Sequence, residues 1–328
     1  MRAWRITAPG EPDVLRLETM AEPAFGPSDV RIRVHGAGLN RADLLQRRGI
    51  YPAPPGAIAD VPGLEYAGVV EAVGDKVLDR KPGDRVMGLT LGGAYAEQVV
   101  VHERETIRIP EGMDMARAAA LPEAFLTAYR AIFLEGGLQA GQWCLIRAAT
   151  SGIGLAAAQL VKAFAGHTIG TSRSAERLEK IKANGLDVAL VDGQQPLAES
   201  VREVTGGGAH VILDLVGGKG NLNENLKALR PEGTQVVVGI MAGPKDEIDI
   251  WQLLLRRLTL RAMTMRSLPL ERRIGLARMF EDRLLGFFEN GILAPVVDTV
   301  LPFEEAVQAH TLMEAGSHTG KIVLLRGD

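Results

Sequence analysis

The 328 residues, 46% hydrophobic and 23% charged, are an ordinary composition for a folded protein and enough chain for two separate cores. A net charge of −3 gives no general electrostatic case for a nucleic acid or an anionic membrane as partner. No apolar run approaches the roughly 18 residues of a spanning helix, and Met1-Arg2-Ala3-Trp4-Arg5 lacks the apolar core of a secretory signal; one cysteine forbids an internal disulfide, so a cytoplasmic protein without a membrane partner is expected.

In chain order, the first 120 or so residues carry short strands (30–34, 67–73, 85–89 and 94–101) separated by Gly and Pro turns such as Lys81-Pro82-Gly83-Asp84 and Leu91-Gly92-Gly93. This predicts a compact, mostly β domain. Residues 143–146 read as an apolar strand in which Cys144 is a core thiol, and 155–162 read as a helix with an Ala-rich packing face. Between them, Thr150-Ser151-Gly152-Ile153-Gly154 forms a glycine-rich turn that leaves backbone N–H groups free at a helix N-terminus, where the dipole favours a pyrophosphate. The small residues are Ala148, Ser151, Gly152 and Gly154, so the turn departs from G-x-G-x-x-G, and a mere tight strand–helix connection stands as the lesser alternative.

The downstream segments decide between the two. Strands at 167–172, 188–192, 211–216, 234–240 and 258–265 alternate with helices at 175–184, 197–205, 222–229 and 250–256. Most of the strands are continuous apolar runs, as expected when helices cover both sheet faces. Six strands with crossover helices predict an open, doubly wound parallel sheet whose ligand lies at the carboxyl ends of the strands. The tail returns to the first style, with a long helix at 271–290, a strand at 296–301, a helix at 304–315 and a strand at 321–325. One domain built from both termini, with a dinucleotide domain inserted, is expected, and the crevice between two such domains is a natural substrate site.

These segments carry a family resemblance. Gly38-Leu39-Asn40-Arg41-Ala42-Asp43, Gly63-Leu64-Glu65-Tyr66-Ala67-Gly68, Ala119-Ala120-Leu121-Pro122-Glu123, Leu126-Thr127-Ala128 and Gly320-Lys321-Ile322-Val323 resemble the medium-chain dehydrogenase/reductase superfamily along essentially the whole chain. Within it the chain resembles the zinc-free quinone oxidoreductases related to zeta-crystallin. Residues 39–49 (LNRADLLQRRG), Tyr51 and the turn Ala148…Gly154 look like the p53-inducible quinone oxidoreductase branch. The resemblance implies an α/β protein: a six-stranded, doubly wound Rossmann domain (123–265) inserted into a GroES-like, mostly β catalytic domain (1–122 and 266–328). It also implies a homodimer built edge to edge across the dinucleotide-domain sheets.

Zinc-dependent members hold the metal with a Cys, the His of Gly-His-Glu, and a second Cys or an acid. Here the motif reads Gly63-Leu64-Glu65, position 38 is glycine, and the six histidines are scattered without ligand spacing. No metal is expected. Hydride transfer without a Lewis acid suits acceptors that delocalise the incoming charge themselves, namely quinones and activated enones.

An Asp or Glu about 20 residues beyond the turn would bond the ribose 2′-OH of NAD. Here the second strand ends Gly170-Thr171-Ser172-Arg173-Ser174, and no acid occurs between Gly154 and Glu176. Ser172, Arg173 and Arg177 read as a 2′-phosphate pocket, which favours NADPH. Asp192 stands against this unless paired with one of those arginines, because relatives commonly carry Asn-Tyr where this chain has Val191-Asp192. By motif position the resemblance also assigns Ala149, Thr150, Ser151, Gly152 and Ile153 to the diphosphate and Thr127 to the nicotinamide ribose or carboxamide. It puts Gly217 on the adenosine side, Gly239, Ile240 and Met241 at the nicotinamide, and Arg266 against the cofactor after the sixth strand. Several have plain alternatives: Thr127 as a helix-interior hydroxyl, the glycines as tight turns, Arg177 as a solvated charge. The resemblance also brings Lys321 toward the cofactor, with a solvated lysine near the end of the chain as the plain alternative.

Asn40, Asp43, Gln46 and Tyr51 occupy the segment that lines the substrate cleft in relatives. Tyr51 is the candidate for orienting the acceptor oxygen, with a packed loop aromatic as the alternative; Asp43 reads equally as a helix cap. The expected activity is NADPH-dependent, metal-free reduction of a quinone in the interdomain cleft. The alternatives are a 2-enoyl thioester or alkenal/one reductase on the same scaffold, and a non-catalytic NADPH-binding protein.

Overall fold

The computed structural model describes residues 1–327. The chain divides into two units, one comprising Met1–Glu123 together with the chain from Arg266 onward, the other Ala124–Met265.

The first unit opens with an antiparallel pair, β1 (Arg2–Ile6) and β2 (Leu15–Thr19), which the sequence pattern did not predict. RAWRI and LRLET mix charge and apolar residues over too few positions to show a period. Then come β3 (Asp29–Gly38), α1 (Arg41–Arg47), β4 (Glu65–Val73), β5 (Arg85–Leu89), β6 (Gln98–His102), β7 (Thr106–Arg108) and α2 (Met115–Ala119). In β3 the buried side chains Val30, Ile32 and Val34 recur at period two, the mark of a strand with one face on a core. The strand expected at 94–101 starts four residues late. Residues 94–96 instead form a loop tied to β1, with the Trp4 N–H donating to the Tyr95 carbonyl at 2.8 Å.

The second unit alternates strand and helix. After α3 (Pro122–Tyr129) and a π-helical turn (Arg130–Glu135) come β8 (Trp143–Ile146), α4 (Gly152–Ala163), β9 (His167–Ser172), α5 (Ala175–Ile181), β10 (Val188–Val191) and α6 (Leu197–Thr205). They are followed by β11 (Ala209–Asp214), α7 (Asn221–Ala228), β12 (Leu229–Val237), α8 (Ile250–Arg256) and β13 (Thr259–Ala262). Every pairing in the sheet is parallel, in the order β10-β9-β8-β11-β12-β13. The chain order reverses between β8 and β11, and ligands of such sheets bind at that switch point, beyond the carboxyl ends of the strands. Leu145, Ile169 and Ile212 of the sheet pack with Leu197, Val201 and Leu226 of the crossover helices, which explains the unbroken apolar runs. The strand expected at 234–240 stops at Val237, because the chain then turns to bring Gly239 against the backbone of Leu215.

The first unit resumes with α9 (Leu270–Arg283), α10 (Leu285–Glu289), β14 (Val297–Pro302), α11 (Ala306–Ala315) and β15 (Lys321–Leu325). The helix expected over 271–290 is two helices, broken at Leu284 (φ −112°, ψ −29°) just before the weak helix former Gly286. β15 pairs with β3, so the two termini share one seven-stranded sheet, β14-β15-β3-β4-β5-β7 with β6 also on β3.

Beneath α11 the fold buries a basic cluster. The Arg47 guanidinium donates to the Gly10 carbonyl at 2.9 Å, lies 3.2 Å from Nδ1 of His310, and pairs with Glu314. Burial, reinforced by that guanidinium, pulls the His310 imidazole down to about 3. The native state therefore refuses a proton that the unfolded chain accepts from about pH 6.5 downward, and stability falls through that window by about 1.4 kcal/mol per pH unit. Replacing His310→Gln removes this loss. Its stability relative to wild type, measured by urea unfolding, should move by about 2–3 kcal/mol in the variant's favour between pH 6.5 and 4.5; a constant difference would mean the imidazole is not held neutral.

Candidate active site

In the second unit the apolar strand β8 buries Cys144, whose thiol burial pushes up to about 12, so it is a core thiol. Beyond Ile146 the chain keeps to the sheet, with Ala149 N–H on the Thr171 carbonyl at 2.8 Å, then turns at Ser151 into α4. Ser151 Oγ accepts from Gly154 N at 3.1 Å, and the first helical bond runs from Leu155 N to the Ser151 carbonyl at 2.9 Å. The amides of Gly152 and Ile153 lie ahead of that bond, at the positive end of the helix dipole. Gly154 lets the helix approach so closely: a Cβ there would lie 2.7 Å from the Ala148 carbonyl oxygen and the Ala149 backbone.

The end of β9 continues this surface. Thr150 Oγ1 lies 3.5 Å from Ser172 Oγ, which in turn accepts from Ser174 N at 3.3 Å. Arg173 is exposed, and Arg177, half-buried in the first turn of α5, has its N–H on Ser174 Oγ at 3.2 Å. After β11 and β12, Gly217 (φ +57°) and Gly239 meet backbone to backbone. A Cβ on Gly217 would come within 2.8 Å of the Gly239 carbonyl oxygen, and one on Gly239 within 2.3 Å of that of Leu215. These glycines serve close approach as well as turning. Ile240 and Met241 follow, exposed despite being large and apolar, and Thr127 is buried on α3.

Asp192 is paired with an arginine that the sequence reading did not name. Its Oδ1 lies 3.4 Å from Nη2 of Arg147, the residue that follows β8. Arg147, 3% exposed, also reaches Asn221 Oδ1 at 3.2 Å, Thr171 Oγ1 at 3.2 Å and Asn225. Sequence reasoning missed this residue. Its signal was an arginine closing an apolar strand directly ahead of the glycine turn.

In the first unit the candidate residues fall in two groups. Asp43 is a helix cap: its Oδ2 accepts from Asn40 N at 2.8 Å and its Oδ1 from Gly63 N at 3.0 Å. Full burial lifts its carboxyl to about 6 despite those donors. With both oxygens engaged by backbone, Asp43 is a residue that fixes the loops. Asn40 is a link in a buried polar chain, its Nδ2 donating to Glu65 Oε1 at 2.9 Å and its Oδ1 accepting from Lys321 at 2.7 Å. Lys321 is 5% exposed rather than solvated, and its ammonium also contacts the Leu39 carbonyl at 2.7 Å and Glu65 Oε1 at 2.5 Å. A terminal strand placed inside the sheet leaves it no route to solvent. Glu65 completes its own set by accepting from Glu123 N at 2.8 Å.

Tyr51 and Arg266 form the second group. The Arg266 guanidinium carbon lies 5.6 Å from the Tyr51 ring centre, its Nη1 is 3.5 Å from the Tyr51 carbonyl, and its Nε donates to the Leu91 carbonyl at 2.5 Å. Its Nη2 is buried without a hydrogen-bond partner among the described residues. Gln46 donates from Nε2 to the Ala59 carbonyl at 2.9 Å, and its buried Oε1 likewise has no such partner.

The donor set does not fit a zinc ion. Gly38 stands where a Cβ would meet Glu65 Oε1 at 2.3 Å, Leu64 carries no lone pair, and Glu65 is committed to an ammonium and an amide. Among the described residues no cluster of three or more His, Cys, Asp or Glu could hold a metal. The glycine cradle, by contrast, fits a dinucleotide: it offers helix-terminal amides, a hydroxyl pair and two points where only glycine admits close backbone approach.

A six-stranded parallel sheet in this order with that cradle defines a dinucleotide-binding Rossmann fold. Residues 26–111 match the model of the alcohol dehydrogenase GroES-like domain and residues 152–281 that of the zinc-binding dehydrogenases. The chain is 31% identical to a rat quinone oxidoreductase, over 99% of this chain and 98% of the relative. Among solved structures it is similar to an NAD-dependent alcohol dehydrogenase (31% identity, TM-score 0.87, 100% of both chains) and to a mycobacterial protein complexed with NADPH (27% identity, TM-score 0.89, 99% and 100%). The chain belongs to the medium-chain dehydrogenase/reductase superfamily, in its quinone oxidoreductase group. Among the described residues no helix is long and apolar enough to cross a membrane.

Proposed function

We propose that this protein is a cytoplasmic, metal-free, NADPH-dependent quinone reductase, with Ala124–Met265 as the nucleotide-binding unit and the remainder supplying the acceptor site. The observation that carries the reading is the end of β9. Where an NAD site presents a carboxylate to the ribose, this strand offers Ser172, Arg173 and Ser174, with Arg177 one turn on and the nearby Asp192 already paired. The amides of Gly152 and Ile153 take the diphosphate, and Thr127, Gly217, Gly239, Ile240 and Met241 border the rest of the nucleotide. The bound nicotinamide supplies a hydride. The protein's own work is positioning: Tyr51, steadied by the guanidinium of Arg266, hydrogen-bonds the acceptor oxygen, and Asn40 and Gln46 hold the loop that carries it.

The test is steady-state oxidation of NADPH and NADH across quinones and enones, with 1,2-naphthoquinone set against a crotonyl thioester. Tyr51→Phe keeps the ring on Arg266 and loses the hydroxyl, so kcat/KM for quinone should fall by roughly tenfold with NADPH affinity unchanged. Arg177→Ala should weaken NADPH by roughly tenfold and leave NADH alone. Turnover of the thioester but not the quinone would replace this reading with an enoyl reductase; NADPH binding without any turnover would make the chain a binding protein.

The same reading includes a homodimer through β13, an edge strand with β12 as its one sheet neighbour. Beside it α8 leaves Ile250, Trp251, Leu254 and Leu255 exposed, an apolar patch that an isolated chain has no use for. Light scattering should give twice the 35.2 kDa chain mass for wild type and the single-chain mass for Leu254→Asp; wild-type monomers would end the dimer proposal.

A further inference from the structure

In the second unit, at the carboxyl ends of β8 and β10, lies a cavity of about 330 Å³ whose lining includes Asp192, Glu224 and Arg147. Arg147 stands between the two acids, with Nη2 3.4 Å from Asp192 Oδ1 and Nη1 3.6 Å from Glu224 Oε2. It cannot swing away: its Nε bonds Thr171 Oγ1 at 3.2 Å and its Nη groups bond the side chains of Asn221 and Asn225. The Asp192 backbone is held by its N–H on the Ser172 carbonyl at 2.9 Å. That bond ties an acid to the last residue of the second strand, the place from which such sheets address the ribose of a dinucleotide.

A carboxylate there has two ways to act. Left alone, it accepts a hydrogen bond from a ribose 2′-hydroxyl and repels a 2′-phosphate. Engaged by a buried, permanently charged guanidinium 3.4 Å away, it does neither well, because its charge is offset at short range by a cation that cannot leave. We infer that Arg147 is the specificity-determining residue of the nucleotide site: by engaging Asp192 it directs this sheet toward dinucleotides carrying a 2′-phosphate. The inference rests on the reading of this unit as an NADPH site and names the group that decides between the two cofactors.

The probes are 2′-phospho-ADP-ribose and ADP-ribose, which carry no nicotinamide, so calorimetric titration reads binding without turnover. Wild type should prefer the phosphorylated probe. Arg147→Met, which frees the acid, should lower that preference by roughly tenfold, and Arg147→Met with Asp192→Asn should restore it. Asp192→Asn alone should change the preference by less than about threefold, since the charge it removes is already matched. That variant keeps the test open where Arg147→Met fails to fold, because a tenfold rise in preference there would show the acid unshielded and overturn the inference. So would an unchanged preference in Arg147→Met, or a double variant that does not recover. If wild type binds both probes equally while the variants behave as stated, the NADPH reading fails and the pairing stands. If wild type binds neither, both fall.

Discussion

Gly154→Val should lower nucleotide affinity by at least about a hundredfold, the largest binding effect expected of any single change outside the ligand contacts themselves. A Cβ at this position meets the Ala148 carbonyl oxygen and the Ala149 carbonyl carbon and Cα, all at 2.7 Å. These are backbone atoms that cannot rotate aside, and Ala149 is held to the Thr171 carbonyl at 2.8 Å. Helix α4 must therefore lift from the strand end, which moves the amides of Gly152 and Ile153 and undoes the cap from Ser151 Oγ to Gly154 N. Overpacking of this kind also costs about 1–3 kcal/mol of stability. Fluorescence titration with NADPH, run beside urea unfolding, separates the two effects. Wild-type affinity in a folded Gly154→Val protein would show that the cradle does not hold the diphosphate.

Lys321→Met should cost about 3–5 kcal/mol of stability, the usual consequence of removing one partner from a buried ion pair. The ammonium has three donors and three acceptors, on Leu39, Asn40 and Glu65, and Glu65 is fully buried. Without Lys321 the carboxylate keeps only the Asn40 amide and the Glu123 N–H. The effect should be felt well beyond β15, since the network joins the end of β3, the start of β4 and the C-terminal strand. Glu65→Leu in the Lys321→Met background should recover at least half of the loss, because the apolar pair leaves no unmatched charge. Urea unfolding of the two variants checks this, and a loss under about 1 kcal/mol for Lys321→Met would mean water reaches the pair.

Much of the second unit was readable in the sequence. The helices over 197–205 and 250–256 and the strands over 143–146 and 167–172 lie where their periodicity puts them. The apolar runs of a doubly covered parallel sheet are an unusually plain pattern, and each is bounded by glycine or polar turns. The first unit was less legible. β1 and β2 are held by their pairing and by the Trp4–Tyr95 bond, and the helix over 271–290 parts at Leu284, neither of which leaves a period to count.

The site shows the same division. Local chemistry marked the glycine turn, the hydroxyl-and-arginine end of β9 and the absence of a zinc donor set, because each is written in neighbouring residues. The partner of Asp192 was not written there. Arg147 lies 45 positions away and reaches the acid only because β10 and β8, two strands apart in a parallel sheet, end at the same side of it. Lys321 meets Glu65 across 256 positions, and Arg266 meets Tyr51 across 215. Sequence alone determined the class of the fold and marked the glycine turn between β8 and α4, since these depend on residue type and short spacing. Only the tertiary structure decided which charges pair, because Coulomb energy depends on distance and burial, and both arise when strands far apart in the chain are laid side by side.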